Sequence, residues 1–346
     1  MKKFKKSSMF MFGVCLVLFM TLGLSSTAVA KAKVVKFVAA GYNEGGQEAS
    51  AEPMAVNMYL GALDYRMRTY HALKGKYKLK YIGTLFPDAN ECLTAVASGA
   101  AEMTFSSPHF MEQLEPAWKA VEAPGIFDNW DHFMKTINTP EWKTLIDKMA
   151  EKKGIKILKW MSNNGNHLLF SSKGPINTLS DLEGQKIRYP GGEAFAKVLK
   201  EMKTTPIAMP YTEVVTALQT NMFDGLLTDW FGAMYFYNLP RYTKYAVNIS
   251  WGIQPICFVV NNDWWKSLPD AERTAMQDVF DRMDTSQFFE GAQKAIAGGW
   301  NANPKTELIN LSDSEIAKWK KVMLKGSDSV LKSLDQKLVK AIESSR

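Results

Sequence analysis

Short apolar runs alternate with amphipathic stretches along most of this chain, and the two kinds repeat with different periods. Lys33 to Ala40 (KVVKFVAA), Lys78 to Leu85 (KLKYIGTL) and Met103 to Ser106 are brief and rich in β-branched and aromatic residues, which predicts strands. Between the first two, Met54, Met58, Leu60, Leu63 and Met67 fall near helical spacing and predict a helix from about Glu48 to Leu73. Asp88 and Asn90 open a second helix, Glu91 to Ala97, which stops at Gly99. This βαβαβ order belongs to a parallel sheet flanked by helices.

An amphipathic helix near Trp142 to Lys153 follows, and then the rhythm resumes. Ile155 to Trp160, His167 to Ser171, Lys186 to Tyr189 and Phe223 to Thr228 read as strands, with helices Ala194 to Met202 and Tyr211 to Thr220 between the last two. A strand at Ile256 to Asn261 precedes a long helix, about Asp270 to Ala297, and a Lys-rich amphipathic tail from Ser312 to Ile342. The expected class is α/β, with two βα lobes. In open α/β sheets ligands settle outside the carboxyl ends of the strands, so the candidate cleft is built by Tyr42-Asn43, Ser106-Ser107, Asn166-His167, Arg188 and Thr228-Asp229-Trp230.

The first thirty residues change how the charge is read. Lys2, Lys3, Lys5 and Lys6 precede an uncharged apolar run, Met9 to Leu24, and small residues ending in Ala28-Val29-Ala30 follow it, as in a secretory signal peptide. Removing residues 1–30 takes away four lysines and no acids, so the formal charge falls from +7 to +3. No clustered basic face remains to mark a nucleic-acid binder. The mature chain keeps Cys92 and Cys257, which form either one disulfide or two buried thiols, and no CxxC that would indicate zinc.

The phosphate-loop, dinucleotide, zinc-protease and serine-hydrolase motifs are all absent, and His71, His109, His132 and His167 lack metal-ligand spacing. The expectation is a binding protein with no cofactor, not an enzyme. Its centre is Arg188, on a short segment between Gly184 and Pro190, because a guanidinium fork matches a carboxylate and stays charged at any working pH. Tyr211, Trp230 and Phe231 are candidate apolar walls, and His167 is a candidate polar contact or a packed strand residue. Asp229 has three open roles: to orient Arg188, to accept from a ligand hydroxyl, or to hold a cation.

Asp181-Leu182-Glu183-Gly184-Gln185-Lys186-Ile187-Arg188, Met209-Pro210-Tyr211-Thr212-Glu213-Val214-Val215-Thr216-Ala217-Leu218-Gln219-Thr220 and the turn Asp224-Gly225 together resemble the periplasmic solute receptors of tripartite ATP-independent (TRAP) transporters, the C4-dicarboxylate receptor family. The resemblance spans nearly all of residues 34–340. It implies a two-lobed periplasmic binding protein fold with a ligand cleft between the lobes and a long hinge helix. The implied organisation is a signal peptide at 1–30, lobe I from 31–163 plus 254–292, and lobe II from 164–253 plus 293–346. By the same resemblance Arg188 grips the ligand carboxylate, Tyr211 is an aromatic wall, and Ser107 and Asn90 come from the first lobe. Thr228 and Asp229 read the remaining polar groups.

His167 stands where several relatives have a second arginine, and Asp229-Trp230-Phe231-Gly232 resembles a pattern of relatives that bind 2-oxo acids. The implied function is a periplasmic receptor for a small organic anion, a carboxylate or 2-oxo acid, that serves a membrane permease. The alternatives are a small sulfonate as ligand, or a sensor or periplasmic enzyme using the same cleft. As a receptor of this kind it is expected to be a monomer or a homodimer.

Overall fold

The computed structural model describes residues 32–39, 73–83, 86, 88–162, 167–229, 233, 239–249, 251–283 and 306–346. The expected signal peptide, the loop Tyr42 to Gly46, the helix expected over Glu48 to Leu73, Asn166, Trp230 and Phe231 lie outside the described residues, as does the second half of the helix expected to reach Ala297.

Among the described residues, two mixed sheets organise the chain. The first has the order β2 (Tyr77–Ile82), β1 (Lys33–Val38), β3 (Met103–Ser106), β10 (Pro255–Asn261), β4 (Ile155–Ser162). β10 runs antiparallel to both of its neighbours, whereas β1 is parallel to β2 and β3. The second has the order β11 (Glu307–Ile309), β9 (Tyr245–Asn248), β5 (His167–Ser171), β8 (Gly225–Asp229), β6 (Lys186–Tyr189), β7 (Thr205–Ala208). Here β5 is the one strand antiparallel to its neighbours. Each sheet thus carries a single reversed strand, and both are crossing strands. The chain leaves the first sheet through β4 and enters the second through β5; it returns from β9 into β10. Ser162 pairs with Pro255 on one side of the crossing and Leu168 with Asn248 on the other.

Three of these strands escaped the sequence pattern for physical reasons. β7 contains Pro206, which cannot donate to a ladder and is accommodated because β7 is a sheet edge. β9 and β11 are four and three residues long, too short to show a period.

The helices follow their local chemistry. α1 (Ala89–Ala97) is capped by Asp88, whose carboxylate accepts from the Glu91 N–H at 2.9 Å. α2 (Pro108–Met111) follows β3 directly, and α3 (Trp130–Ile137) begins at the Asn129 cap. α4 (Pro140–Lys153) starts on a proline and ends at Gly154, whose φ is +71°. A Cβ there would stand 2.5 Å from the Ala97 carbonyl oxygen, so the helix end needs glycine both for its turn and for the approach. On the first lobe Trp118, Trp142, Phe133 and Trp160 interlock, with ring centroids of 5.1–5.7 Å between Trp118 and Trp142, Trp118 and Trp160, and Phe133 and Trp160. α7 (Asn262–Ser267) and α8 (Asp270–Asp281) cover the other face of the same sheet, where Met276, Val279 and Phe280 meet Phe258 and Val260.

On the second lobe α5 (Glu193–Glu201) and α9 (Asp313–Leu331) pack through Val198, Leu199, Trp319 and Met323. Gly326 of α9 lies against Val198; a Cβ would meet the Val198 Cα at 2.8 Å. α6 (Val214–Gln219) follows a short 3-10 turn at Tyr211–Glu213.

The C-terminal boundary departs from the expected one. α10 (Gln336–Ser344) leaves the second lobe and lays Leu338, Val339 and Ile342 in the core around Trp142 of the first. The Trp142 indole N–H donates to the Leu338 carbonyl at 3.4 Å, and His132 Nε2 lies 2.7 Å from the Ile342 carbonyl oxygen. The apolar face of this helix would otherwise remain in water. Cys92 and Cys257 are both buried and unbonded, which resolves the pair as two thiols; burial pushes the Cys257 thiol up.

Candidate functional site

Arg188 is set on the cleft side of its strand by simple alternation. Ile187 and Tyr189, its neighbours on β6, enter the apolar core of the second lobe, so Arg188 faces the other way. It is 1 % exposed. Its Nε and Nη2 donate to the Met209 carbonyl at 3.0 and 2.7 Å, and its Nη1 reaches the Leu227 carbonyl at 3.4 Å. A buried cation held by neutral dipoles keeps its charge but has one preferred pose.

Arg188 lines a cavity of about 140 Å³ between the two lobes. From the second lobe come His167, Pro190, Tyr211, Thr228 and Asp229; from the first come Thr104, Phe105, Ser106, Ser107, His109, Phe110 and Glu122. Gln254, Pro255 and Ile256 enter from the crossing segment. Six of the expected site residues (Arg188, Tyr211, His167, Thr228, Asp229 and Ser107) are therefore brought together. Asn90 is not on this wall: it is exposed at the start of α1, where its carbonyl group accepts from the Thr94 hydroxyl and its side chain from Gln113. Trp230 and Phe231 lie outside the described residues.

His167 and Asp229 face each other in the β5–β8 register. His167 is fully enclosed by Phe195 at 5.0 Å and Trp251 at 6.0 Å between ring centroids, and the Gln254 amide touches its ring. Burial holds its pKa well below the usual histidine range, and the fields of His109 and Arg188 act in the same sense. The ring is thus neutral, and Arg188 supplies the fixed positive charge of the second-lobe wall.

On the first-lobe wall the sequence reading found Ser106 and Ser107 but passed over His109 and Glu122. His109 Nδ1 lies 2.6 Å from Glu122 Oε2, and the same oxygen accepts the His109 backbone N–H at 3.0 Å. The Trp251 indole donates to the Glu122 carbonyl at 2.8 Å and so ties this wall to the crossing segment. The available signal was a single acid, Glu122, in a stretch from Pro116 to Phe127 whose one other charge is Lys119, together with a histidine three residues beyond the end of a strand.

The lobes also touch directly beside the cavity. Pro190-Gly191-Gly192 turns from β6 into α5, with φ of +127° and +92° at the two glycines. Glu112 of the first lobe accepts from the Glu193 N–H at 2.9 Å, and Lys119 pairs with Glu193 at 3.1 Å. Burial, with Glu122 and Glu193 nearby, pushes Glu112 up to about 7, against the opposing pull of that N–H and of His109.

Residues 50–333 match the family described as bacterial extracellular solute-binding protein, family 7. The chain belongs to this family. Among curated family-7 relatives it is 24% identical over 336 residues to the C4-dicarboxylate-binding periplasmic protein DctP of Rhodobacter capsulatus, covering 94% of each chain. It is 31% identical over 157 residues to the 2,3-diketo-L-gulonate-binding periplasmic protein YiaO of Escherichia coli, covering 44% of this chain and 46% of that one. With most of the first curated relatives, as with YiaO, the matched stretch is thus about half of the relative's length or less than two thirds of it.

The fold is that of solved TRAP solute-binding proteins. The sugar acid binding protein DctPAm of Advenella mimigardefordensis, in complex with galactonate, superposes with a TM-score of 0.77 at 20% identity over 91% of this chain and 99% of that one. A periplasmic solute-binding protein of Shewanella oneidensis with bound succinate gives 0.78 at 19% identity, over 91% and 99%.

Proposed function

We propose that this family-7 receptor closes over a small organic monoanion in the periplasm and delivers it, unchanged, to the membrane subunits of a TRAP-type transporter. The observation that carries the reading is Arg188, buried, charged and held by two carbonyls on the wall of a cavity between two lobes. A carboxylate that meets this fork replaces its lost hydration with charge-assisted bonds. The ligand touches both lobes only when they are closed, so it favours the closed state in proportion to those contacts.

The relatives are named for a dicarboxylate and a sugar acid, and the solved neighbours hold galactonate and succinate. One guanidinium beside Glu122 and Asp229 favours an anion with a single negative charge over a dicarboxylate held at both ends. Proteins of this class bind and release, and the residues around the cavity serve binding: His167 is enclosed and neutral, and Thr228 and Ser107 offer hydroxyls.

A thermal-shift screen of the mature receptor against small carboxylates, 2-oxo acids, aromatic acids and sulfonates tests the reading. A true ligand at a hundredfold excess over its dissociation constant adds about 2.7 kcal/mol of stability. A shift with one acid class, lost in Arg188→Ala, supports the proposal. A shift confined to sulfonates moves the ligand class, and turnover of the bound acid overturns the receptor role.

A further inference from the structure

One wall of the cleft carries a polar pair that anchoring a carboxylate does not use. Two hydrogen bonds to the same Glu122 oxygen, from the His109 backbone N–H and from Nδ1, fix the histidine ring. The two side chains are 9 % and 5 % exposed. For Nδ1 to donate to a carboxylate it must carry a hydrogen, which leaves Nε2 as the free end of the ring. Nε2 is buried on a residue that lines the cavity, and it has no hydrogen-bond partner among the described residues. Phe110 and Phe195 flank the ring, with centroids at 4.0 and 5.7 Å. A buried polar atom without a partner is costly, and a ligand that supplies one removes that cost.

The surroundings limit what the ligand can bring to Nε2. A methyl group would leave it unpaired. A second carboxylate would meet Glu122 and Asp229 with only Arg188, already committed to the first, as a fixed opposing charge. A hydroxyl serves in either ring state, because it donates to an unprotonated Nε2 and accepts from a protonated one.

We propose that His109, oriented by Glu122, is the specificity-determining residue of this receptor and selects a hydroxyl-bearing monocarboxylate, taking the hydroxyl on Nε2 while Arg188 takes the carboxylate. This rests on the reading of Arg188 as the carboxylate anchor. His109 contacts the ligand; Glu122 acts through it as a positioning residue.

Calorimetric titration of the receptor with butyrate, its 2-, 3- and 4-hydroxy derivatives, the corresponding aminobutyrates and succinate tests the assignment. At least one hydroxybutyrate is expected to bind about tenfold or more tightly than butyrate, because a site built around a hydroxyl rejects the analogue that lacks it. His109→Phe should abolish that ratio, so that within this variant butyrate and its hydroxy derivatives bind with similar affinity. Glu122→Gln, which still offers Nδ1 an acceptor, should retain most of the ratio, whereas Glu122→Leu should lose it.

A ratio near one in the unaltered protein overturns the proposal without recourse to any variant. So does a ratio that survives His109→Phe. Stronger binding of an aminobutyrate or of succinate assigns Nε2 and its surroundings to a different group and refutes the hydroxyl. Arg188→Ala separates this reading from the one beneath it: if it leaves the binding of all the acids unchanged, the carboxylate anchor fails, and if it weakens plain and hydroxy acids alike, the anchor stands whatever His109 does. Absence of binding by every acid in the unaltered protein removes both.

Discussion

Replacing Arg188 by alanine separates the part this side chain plays in the fold from its proposed part as the carboxylate anchor. The guanidinium donates two hydrogen bonds to the Met209 carbonyl and one to that of Leu227. Bonds from a charged donor contribute about 1.5–3 kcal/mol each, but a buried cation also carries a desolvation cost of several kcal/mol that alanine removes. The two effects oppose each other, and water entering through the cleft can reach the abandoned carbonyls, so the expected net loss of stability is about 2 kcal/mol. Binding has no such offset. Truncating one partner of a desolvated charge pair costs about 2–5 kcal/mol, which is about a 30-fold to several-thousand-fold rise in Kd.

Urea unfolding measures the first quantity and calorimetric titration with the best acid from the screen measures the second. Arg188→Lys is the internal control. It keeps the charge but loses the planar fork and the double bond to Met209, so its affinity should fall between those of the wild type and the alanine variant. A folded Arg188→Ala protein with unchanged Kd would refute the anchor, and a Lys variant as weak as Ala would show that geometry, not charge, carries the binding.

Glu112 makes stability depend on pH. Its folded-state pKa is raised to about 7, so between the ordinary carboxylate range and that value the folded protein holds a proton that the unfolded chain releases. The contribution is present at low pH and is lost as pH rises towards 7, by up to about 3 kcal/mol. Glu112→Gln, which keeps an acceptor for the Glu193 N–H, should flatten this slope in denaturant titrations run from pH 5 to pH 8; an unchanged slope would place the titrating group elsewhere. Gly192→Ala asks an L-residue to adopt a φ of +92° and sets its Cβ 2.8 Å from the His109 Cβ. It should lower the melting midpoint and weaken ligand binding together, and a variant that melts as the wild type does would show that the lobe contact yields easily. Cys92 and Cys257 are buried thiols, so a thiol reagent should label neither in the native mature protein and both after unfolding; labelling of the native protein would contradict their enclosure.

The sequence showed the alternation of strands and helices and the arginine, because both are local. Arg188 announces itself as a charge between Ile187 and Tyr189, and period-two alternation does the rest. The Ser107, His167, Thr228 and Asp229 positions on the cavity wall were read from their place at strand ends, and Tyr211 from the family resemblance. The His109–Glu122 pair did not, since it joins residues thirteen apart through an irregular segment whose course no periodicity encodes. Gln254 was hidden for a similar reason: it precedes β10 by one residue, and only the antiparallel entry of that strand brings it to His167. The last helix misled because its amphipathic face announces that it packs, without saying on which lobe.

The reversed strand β10 has a consequence for how the protein is made. It lies between β3 and β4 in the first sheet, yet β4 ends at Ser162 and β10 begins only at Pro255. A ribosome must therefore synthesise every second-lobe strand from β5 to β9 before this inner strand of the first lobe exists. Contacts this distant along the chain form late and slowly. For a protein of the periplasm, export of an unfolded chain would gain from that delay, because a nascent chain that lacks β10 is unable to complete its first sheet. Circular permutants that begin at residue 251 would place β10 ahead of β1 to β4, and would reveal whether slow folding is a by-product of the topology or a condition of export.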